Sequence, residues 1–264
     1  MTVSIAVTSG KGGVGKTNCA VNLSLGLTKM GKKVILFDTD FGMANAHIML
    51  GCNPKRTAAD FLQGNADLDS ILSKGPSDLR FIAGGSGLLE LLNLDNHARY
   101  HMLQSLYVLE NEIDYLVVDT PAGASDSTLF FASAATVPLV VLVAEPTSFL
   151  DAYALIKATH IEKNVKNFSV LVNMAEGSVS AKNNFHKFFE ICRRFLDVNL
   201  HYAGMIPLSN AIRKSIVKRA PITNSQPSSP EARAFLALAK EMMNAPINTH
   251  DGIRFFHRDV EEAS

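Results

Sequence analysis

An apolar run, "VSIAVT", opens at residue 3 and leads directly into "SGKGGVGKTN", which is followed by the helix-forming stretch "CAVNLSLGL". Gly10, Gly15, Lys16 and Thr17 stand in the spacing G-x-x-x-x-G-K-[ST], between a strand and a helix. Few short patterns constrain a fold more tightly. Backbone N–H groups converge on an anion where no Cβ intervenes, and the helix N-terminus adds its partial positive charge. In such a loop Lys16 reaches the β- and γ-phosphates of a nucleotide, and the Thr17 hydroxyl ligates Mg²⁺. The alternative is a glycine-rich turn that arose by chance.

The rest of the chain has the same architecture. Further β-rich runs recur at 33–38, 79–84, 114–120, 138–144, 168–173 and 202–207, most of them continuously apolar. Strands of that kind are buried on both faces, as in a parallel sheet. Helical patterns lie between them at about 16–30, 95–112, 148–160, 180–196, 209–219 and 230–244. The alternation predicts an α/β fold: a doubly wound, mainly parallel sheet of about seven strands with helices on both faces. Residues 1–244 read as one domain and 245–264 as a C-terminal tail. Ser229 is expected to cap the last helix, with Pro230 in its first turn. The chain carries 25 basic and 25 acidic residues, so no net field steers it toward nucleic acid or anionic lipid. Cys19, Cys52 and Cys192 are too scattered for a disulfide framework or a cysteine metal site. The N-terminus has no leader pattern, and the longest apolar run, "ATVPLVVLVA", is about half of what a bilayer needs. The expected compartment is the cytoplasm.

The loop has a second lysine, Lys11, directly after its first glycine. "KGGVGKT" resembles the deviant Walker A motif of the MinD/ParA family of ATPases. The resemblance implies a P-loop ATPase that binds ATP or ADP with Mg²⁺ through Gly10, Lys11, Gly12, Gly13, Val14, Gly15, Lys16, Thr17 and Asn18. It also implies that Lys11 crosses a dimer interface to the partner's nucleotide, where a solvated surface lysine is the alternative. "ILFDTDFGMAN" ends a strand with Asp38 and Asp40, at the edge where open α/β sheets bind ligands. By the family's pattern Asp40 positions the attacking water and Asp38 joins the Mg²⁺ shell; a solvated pair of strand-end carboxylates is the alternative. "YLVVDTPAG" supplies a Walker B aspartate, Asp119, for the second shell of Mg²⁺, and Gly123 to sense the γ-phosphate. Asn173 and Pro207, each ending a strand, correspond to nucleotide-base contacts in the family, although Asn173 also suits a turn.

"DFGMANAHIMLG", "EPTSFLDAYALIK" and "FLDVNLHYAGMIP" resemble the FlhG/FleN branch, which regulates flagellar number and placement. The likeness runs over roughly 1–244 and the "GIRFFHRDV" ending. It implies a weak, regulatory ATP hydrolase that dimerises with ATP and signals through protein contacts. Inhibition of a FleQ-type transcriptional activator is the leading output, with FlhF or C-ring proteins as further partners and transient visits to the inner membrane or cell pole. Asn18 departs from the usual threonine or serine. The branch's N-terminal D-Q-A-x-x-L extension has no room before Val3, so activation of FlhF by that route is not expected. Ile253, Phe256 and Val260 would share one face of a tail helix, but the acidic balance around them is wrong for anionic lipid. Packing of Phe255 or Phe256 onto the body is the equal alternative. In "NAIRKSIVKRAP", Arg213, Lys214, Lys218 and Arg219 read as a solvated face over buried Ile212, Ile216 and Val217, rather than as a DNA surface. The rival functions are a binding regulator whose turnover is incidental, ParA-like DNA partitioning, MinD-like division-site positioning and a metabolic member of the superfamily.

Overall fold

A computed structural model describes residues 2–42, 44–85, 96–249 and 252–256. Among the described residues the apolar runs and one further short strand form an eight-stranded sheet. Its strands are β1 (Val3–Thr8), β2 (Val34–Asp38), β3 (Leu72–Lys74), β4 (Arg80–Ile82), β5 (Tyr115–Asp119), β6 (Val137–Leu142), β7 (Asn167–Ala175) and β8 (Asn199–Pro207). They lie in the order β3-β4-β2-β5-β1-β6-β7-β8, all parallel except β3, which pairs antiparallel with β4 at the edge. The chain leaves β1 toward β2 on one side and reaches β6 on the other. This reversal opens a crevice beyond the carboxyl ends of the central strands.

The helices are α1 (Lys16–Lys29), α2 (Ala46–Met49), α3 (Ala58–Leu62), α4 (Leu68–Ile71), α5 (Asn96–Ser105), α6 (Asp126–Ala134), α7 (Pro146–Lys163), α8 (Ser178–Phe195), α9 (Asn210–Val217), α10 (Ile222–Ser225) and α11 (Pro230–Met242). Alternation along the strands divides them between two faces. Ile5, Val7, Leu139 and Val141 point to the side covered by α1 and α11. Ala6, Val140 and Leu142 point to the other, where α5 and α6 cover one half and α7 and α8 the rest. Residues 18–27 of α1 are all buried, because the helix is sandwiched between the sheet and α11. Its polar groups are paired accordingly: Asn22 donates to the Asn18 carbonyl and Oδ1, both at 2.9 Å, and accepts from the Thr223 N–H at 3.1 Å. Each fully buried Leu or Phe in these layers contributes about 1.5–3 kcal/mol.

Several expectations need adjustment. The 95–112 pattern is a helix only to Ser105, then a 3₁₀ turn over Leu106–Leu109. Helices α2, α3, α4, α6 and α10 and edge strand β3 had no periodic signature. α6 in particular is buried along most of its length and is opened by the Ser125 hydroxyl, which accepts from the Thr128 N–H at 3.3 Å. The Ser229 cap is present, accepting from Ala232 at 3.1 Å, and Pro230 begins α11. On α9, Ile212 is buried as expected, but Ile216 lines a pocket and Val217 is 77% exposed. The helix has eight residues and rests on the body through Ile212 and Ser215, too short a contact to cover a wider stripe.

The described part of the tail is held against the body. Asn248 is buried, donating to the Thr136 and Asn167 carbonyls and accepting from the Asn167 N–H. Phe255 is buried, its N–H reaches the Ala134 carbonyl at 2.9 Å, and its ring stacks on Phe131. Residues 252–256 are not helical, so Ile253 and Phe256 do not lie on a helical face; Val260 lies outside the described residues. Among the described residues no helix is long and apolar enough to cross a membrane.

Candidate functional site

The loop between β1 and α1 enters the crevice and is fixed from three sides. Gly10 packs directly on α7: a Cβ there would lie 2.1 Å from the Asp151 carbonyl carbon and oxygen. Gly15 is left-handed, with φ 85°, and a Cβ would meet the Asn173 amide nitrogen at 2.4 Å. Only glycine meets both demands without cost. The Gly123 N–H donates to the Ser9 carbonyl at 2.9 Å, and Thr120 N–H to Val7 at 3.2 Å. The phosphate loop is thereby joined to the loop that follows β5.

Three carboxylates and one ammonium converge below it. The β2–β5 register pairs Asp38 with Asp119, and β1–β5 pairing sets Asp119 beside Val7. Asp38 and Asp119 are both buried. The Lys16 Nζ stands 3.7 Å from Asp119 Oδ1 with only 10% of its side chain exposed. Asp38 organises the following loop. Its Oδ1 accepts from the Asp40 N–H at 3.1 Å, and its Oδ2 from the N–H groups of Asn45 and Ala46 at 2.9 and 3.0 Å. Burial drives the Asp38 carboxyl upward, with the charge of Asp119 adding to it, while the backbone donors pull it back. Asp119 is also pushed upward by burial, against the Lys16 ammonium and the Thr17 hydroxyl. Gly84, beyond β4, closes on this loop: a Cβ would sit 2.7 Å from the Asp38 carbonyl oxygen. Asp40 is half-buried at the crevice mouth.

Lys11 is partly exposed but not free. Its Nζ lies 2.7 Å from Glu145 Oε2 and 3.2 Å from Thr147 Oγ1, at the start of α7. These partners are more than 130 positions away in sequence, and no spacing rule links them to the loop. Asn173 is buried inside β7, not in a turn, and its Nδ2 donates to the Val14 carbonyl at 2.6 Å. A carbonyl only accepts, so the amide orientation is fixed and Oδ1 is left as an acceptor. Met174 follows with φ 53°, at an irregularity in the β7–β8 pairing. Asn173, Pro207, Asn18 and Arg213 border a cavity of about 490 Å³ beside Gly15. The crevice thus brings Gly10–Asn18, Asp38, Asp40, Asp119, Asn173 and Pro207 to one place.

The profile of the CobQ/CobB/MinD/ParA nucleotide binding domain matches residues 5–222. The chain belongs to that family. It is 40% identical to the antiactivator FleN of Pseudomonas aeruginosa over 254 residues, 96% of this chain and 91% of FleN. It is 32% identical to the flagellum site-determining protein YlxH of Helicobacter pylori, over 81% of this chain and 73% of YlxH. Among solved structures it resembles the cell division ATPase MinD of Pyrococcus furiosus, at TM-score 0.77 and 25% identity, covering 92% of this chain and 99% of that one. MinD of Pyrococcus horikoshii, solved with Mg-ADP, gives TM-score 0.76 and 25% identity, covering 92% and 96%. The fold is that of a MinD-type P-loop NTPase, and the chain is a family ATPase. Its donor set also suits the family's divalent cation. Asp119 Oδ1 is buried beside Thr17 with no hydrogen-bond partner among the described residues, Lys16 Nζ standing 3.7 Å off, and hard cations select such oxygen ligands.

Proposed function

We propose that this chain is an ATP-dependent dimerising switch that regulates flagellar number or biosynthesis from the cytoplasm, hydrolysing MgATP slowly. The observation that carries the flagellar reading is the 40% identity to FleN across nearly the whole chain. MinD-like division-site positioning is the second reading, supported by the likeness to MinD structures, but identity to a cyanobacterial MinD is lower, at 30%.

In this reading the backbone of Gly10–Asn18 wraps the phosphates and Lys16 neutralises the β- and γ-oxygens. Thr17 and Asp38 would hold Mg²⁺ with Asp119 in its second shell, and the ion would supply charge stabilisation at the phosphates. Asp40 orients the attacking water. Asn173 and Pro207 meet the adenine, Asn173 with the acceptor that its bond to Val14 leaves open. Gly123 reports the γ-phosphate to the loop before α6 through its bond to Ser9. Lys11 leaves Glu145 and completes the nucleotide site of a second copy, as an arginine finger does. ATP favours the dimer because it binds that state better. The dimer presents a surface the monomer lacks, for a FleQ-type activator first, with FlhF or a C-ring protein as further partners. Transient presence at the inner membrane or cell pole accompanies this role.

Sizing the purified protein with ADP, with ATP, and with ATP in the Lys11→Ala variant tests the reading. Dimers only with ATP and only in wild type are expected. A Lys11→Ala dimer of wild-type affinity removes the trans role, and a monomer under every condition removes the switch.

A further inference from the structure

The pairing of β4 with β2 stops at Ile82 and Phe37. The chain then runs on through Ala83, Gly84 and Gly85 beside the loop that carries Asp40. Here only bare backbone separates that loop from α3. A Cβ on Gly84 would lie 2.7 Å from the Asp38 carbonyl oxygen, and 3.3 Å from both the Asp40 carbonyl oxygen and the Ala44 Cβ. A Cβ on Gly85 would meet α3 instead, at 2.6 Å from the Ala59 Cβ and 3.1 Å from the Thr57 hydroxyl. Gly85 has φ 107°, so its backbone requires glycine as well. Gly84 lies outside the left-handed region, and space alone bars a side chain there. Both sides of this spacer are anchored. On one side β5 holds the end of β2: Asp38 pairs with Asp119, and the Thr39 N–H donates to the Asp119 carbonyl at 2.9 Å. The Asp38 carboxylate then gathers the N–H groups of Asp40, Asn45 and Ala46, so the loop closes back on its first residue. On the other side the Ala58 and Ala59 N–H groups donate to the Ala83 and Gly84 carbonyls, at 2.8 and 3.1 Å. A capping box between Thr57 and Asp60 fixes that start of α3.

We propose that Gly84 is a positioning residue for hydrolysis: its bare Cα sets how closely the anchored α3 side approaches the loop, and so where Asp40 stands. The inference rests on the hydrolytic role given to Asp40 above. An alanine at Gly84 needs ordinary contact, 3.4 Å or more, where 2.7 Å is present, so about 0.7 Å must be found. The end of β2 is tied to β5 and the spacer to α3, which leaves Asp40 and Ala44, held by no strand, to move. A misplacement of about 1 Å in a catalytic group costs roughly 10²-fold in rate, so this one should cost about tenfold or more. Nucleotide binding is braced elsewhere: Gly10 of the phosphate loop packs on α7 and Gly15 on Asn173, and neither touches Gly84. The expected signature is a loss of turnover without a loss of affinity.

The test compares Gly84→Ala, Gly84→Ala with Ala44→Gly, and Asp40→Ala in the full-length protein. Steady-state turnover gives kcat, titration calorimetry gives the affinity for a nonhydrolysable ATP analogue, and light scattering gives dimerisation with that analogue. Gly84→Ala should lower kcat about tenfold or more, with analogue affinity and dimerisation as in wild type. Ala44→Gly removes one of the obstructing groups, so the double variant should regain part of the rate. A wild-type kcat in Gly84→Ala overturns the proposal. So does a fall in affinity that matches the fall in kcat, which marks a general structural role. A loss that Ala44→Gly does not relieve overturns it too, because crowding of the loop is then not the cause. If Gly84→Ala does not fold, Asp60→Ala carries the test: it undoes the capping box without adding bulk, and an unchanged kcat there overturns the proposal. Asp40→Ala separates the two levels. Should it keep its rate, the hydrolytic reading has failed; should it lose rate while Gly84→Ala does not, only the positioning inference has.

Discussion

If Lys11 must leave its own chain to serve another, its present bond opposes dimerisation. Glu145→Gln removes that opposition. The Lys11–Glu145 pair is short, 2.7 Å, but its side chains are 30% and 60% exposed. A pair this exposed contributes about 0.2–1 kcal/mol. Two such pairs break per dimer, so the wild type gives up about 0.4–2 kcal/mol, and the variant's dimer dissociation constant should fall roughly 2- to 30-fold. Glutamine keeps the shape and the Thr147 contact remains. Glu145 makes no side-chain cap on α7, so the helix start survives, with about 0.3–1 kcal/mol of dipole stabilisation lost. The assay is sedimentation equilibrium with a nonhydrolysable ATP analogue, so that turnover does not enter. Nucleotide affinity of the dilute monomer is the control and should not move. A dissociation constant that is unchanged or higher refutes the argument, because it means Lys11 forfeits nothing when it swings.

Three further outcomes follow from the site. Asp40→Ala should still dimerise with ATP while turnover drops roughly 10²–10⁴-fold; a variant that light scattering finds monomeric would remove Asp40 from the hydrolytic role. Gly10→Ala should cost about 1–3 kcal/mol in thermal denaturation and weaken nucleotide binding, since its Cβ would overlap the α7 backbone at 2.1 Å; wild-type behaviour in both would mean the loop is not clamped. Asp38 and Asp119 are raised by burial in the folded chain, so the native state holds protons that the unfolded chain, with carboxyls near ~4, has lost. Stability of the metal-free protein should therefore decline as pH rises from about 5 to 8. Asp38→Asn should flatten the decline, and a melting temperature that climbs over this range would contradict the sign.

How much of this was legible in the sequence depends on whether the determining interaction was local. The strands of the sheet centre announced themselves because burial on both faces leaves continuous apolar runs, as "LVVD" does in β5. The phosphate loop was legible because glycine spacing is itself the geometry. Edge strand β3 was not, since three residues with one neighbour carry no pattern, and α6 was not, because a helix buried on most sides loses the periodicity that marks a half-exposed one. Asp38 and Asp119 were legible as strand ends, but not as a directly opposed pair: that follows from the β2–β5 register, which no local rule fixes. The Lys11–Glu145 contact is the limiting case. Both residues lie in strings whose resemblance to the family was visible, yet nothing in either string names the other. Their meeting depends on β6 lying next to β1, which brings the start of α7 over the loop. The same adjacency explains why Gly10 cannot carry a side chain. One strand pairing thus sets both the closeness of the loop to α7 and the partner that its unusual lysine holds.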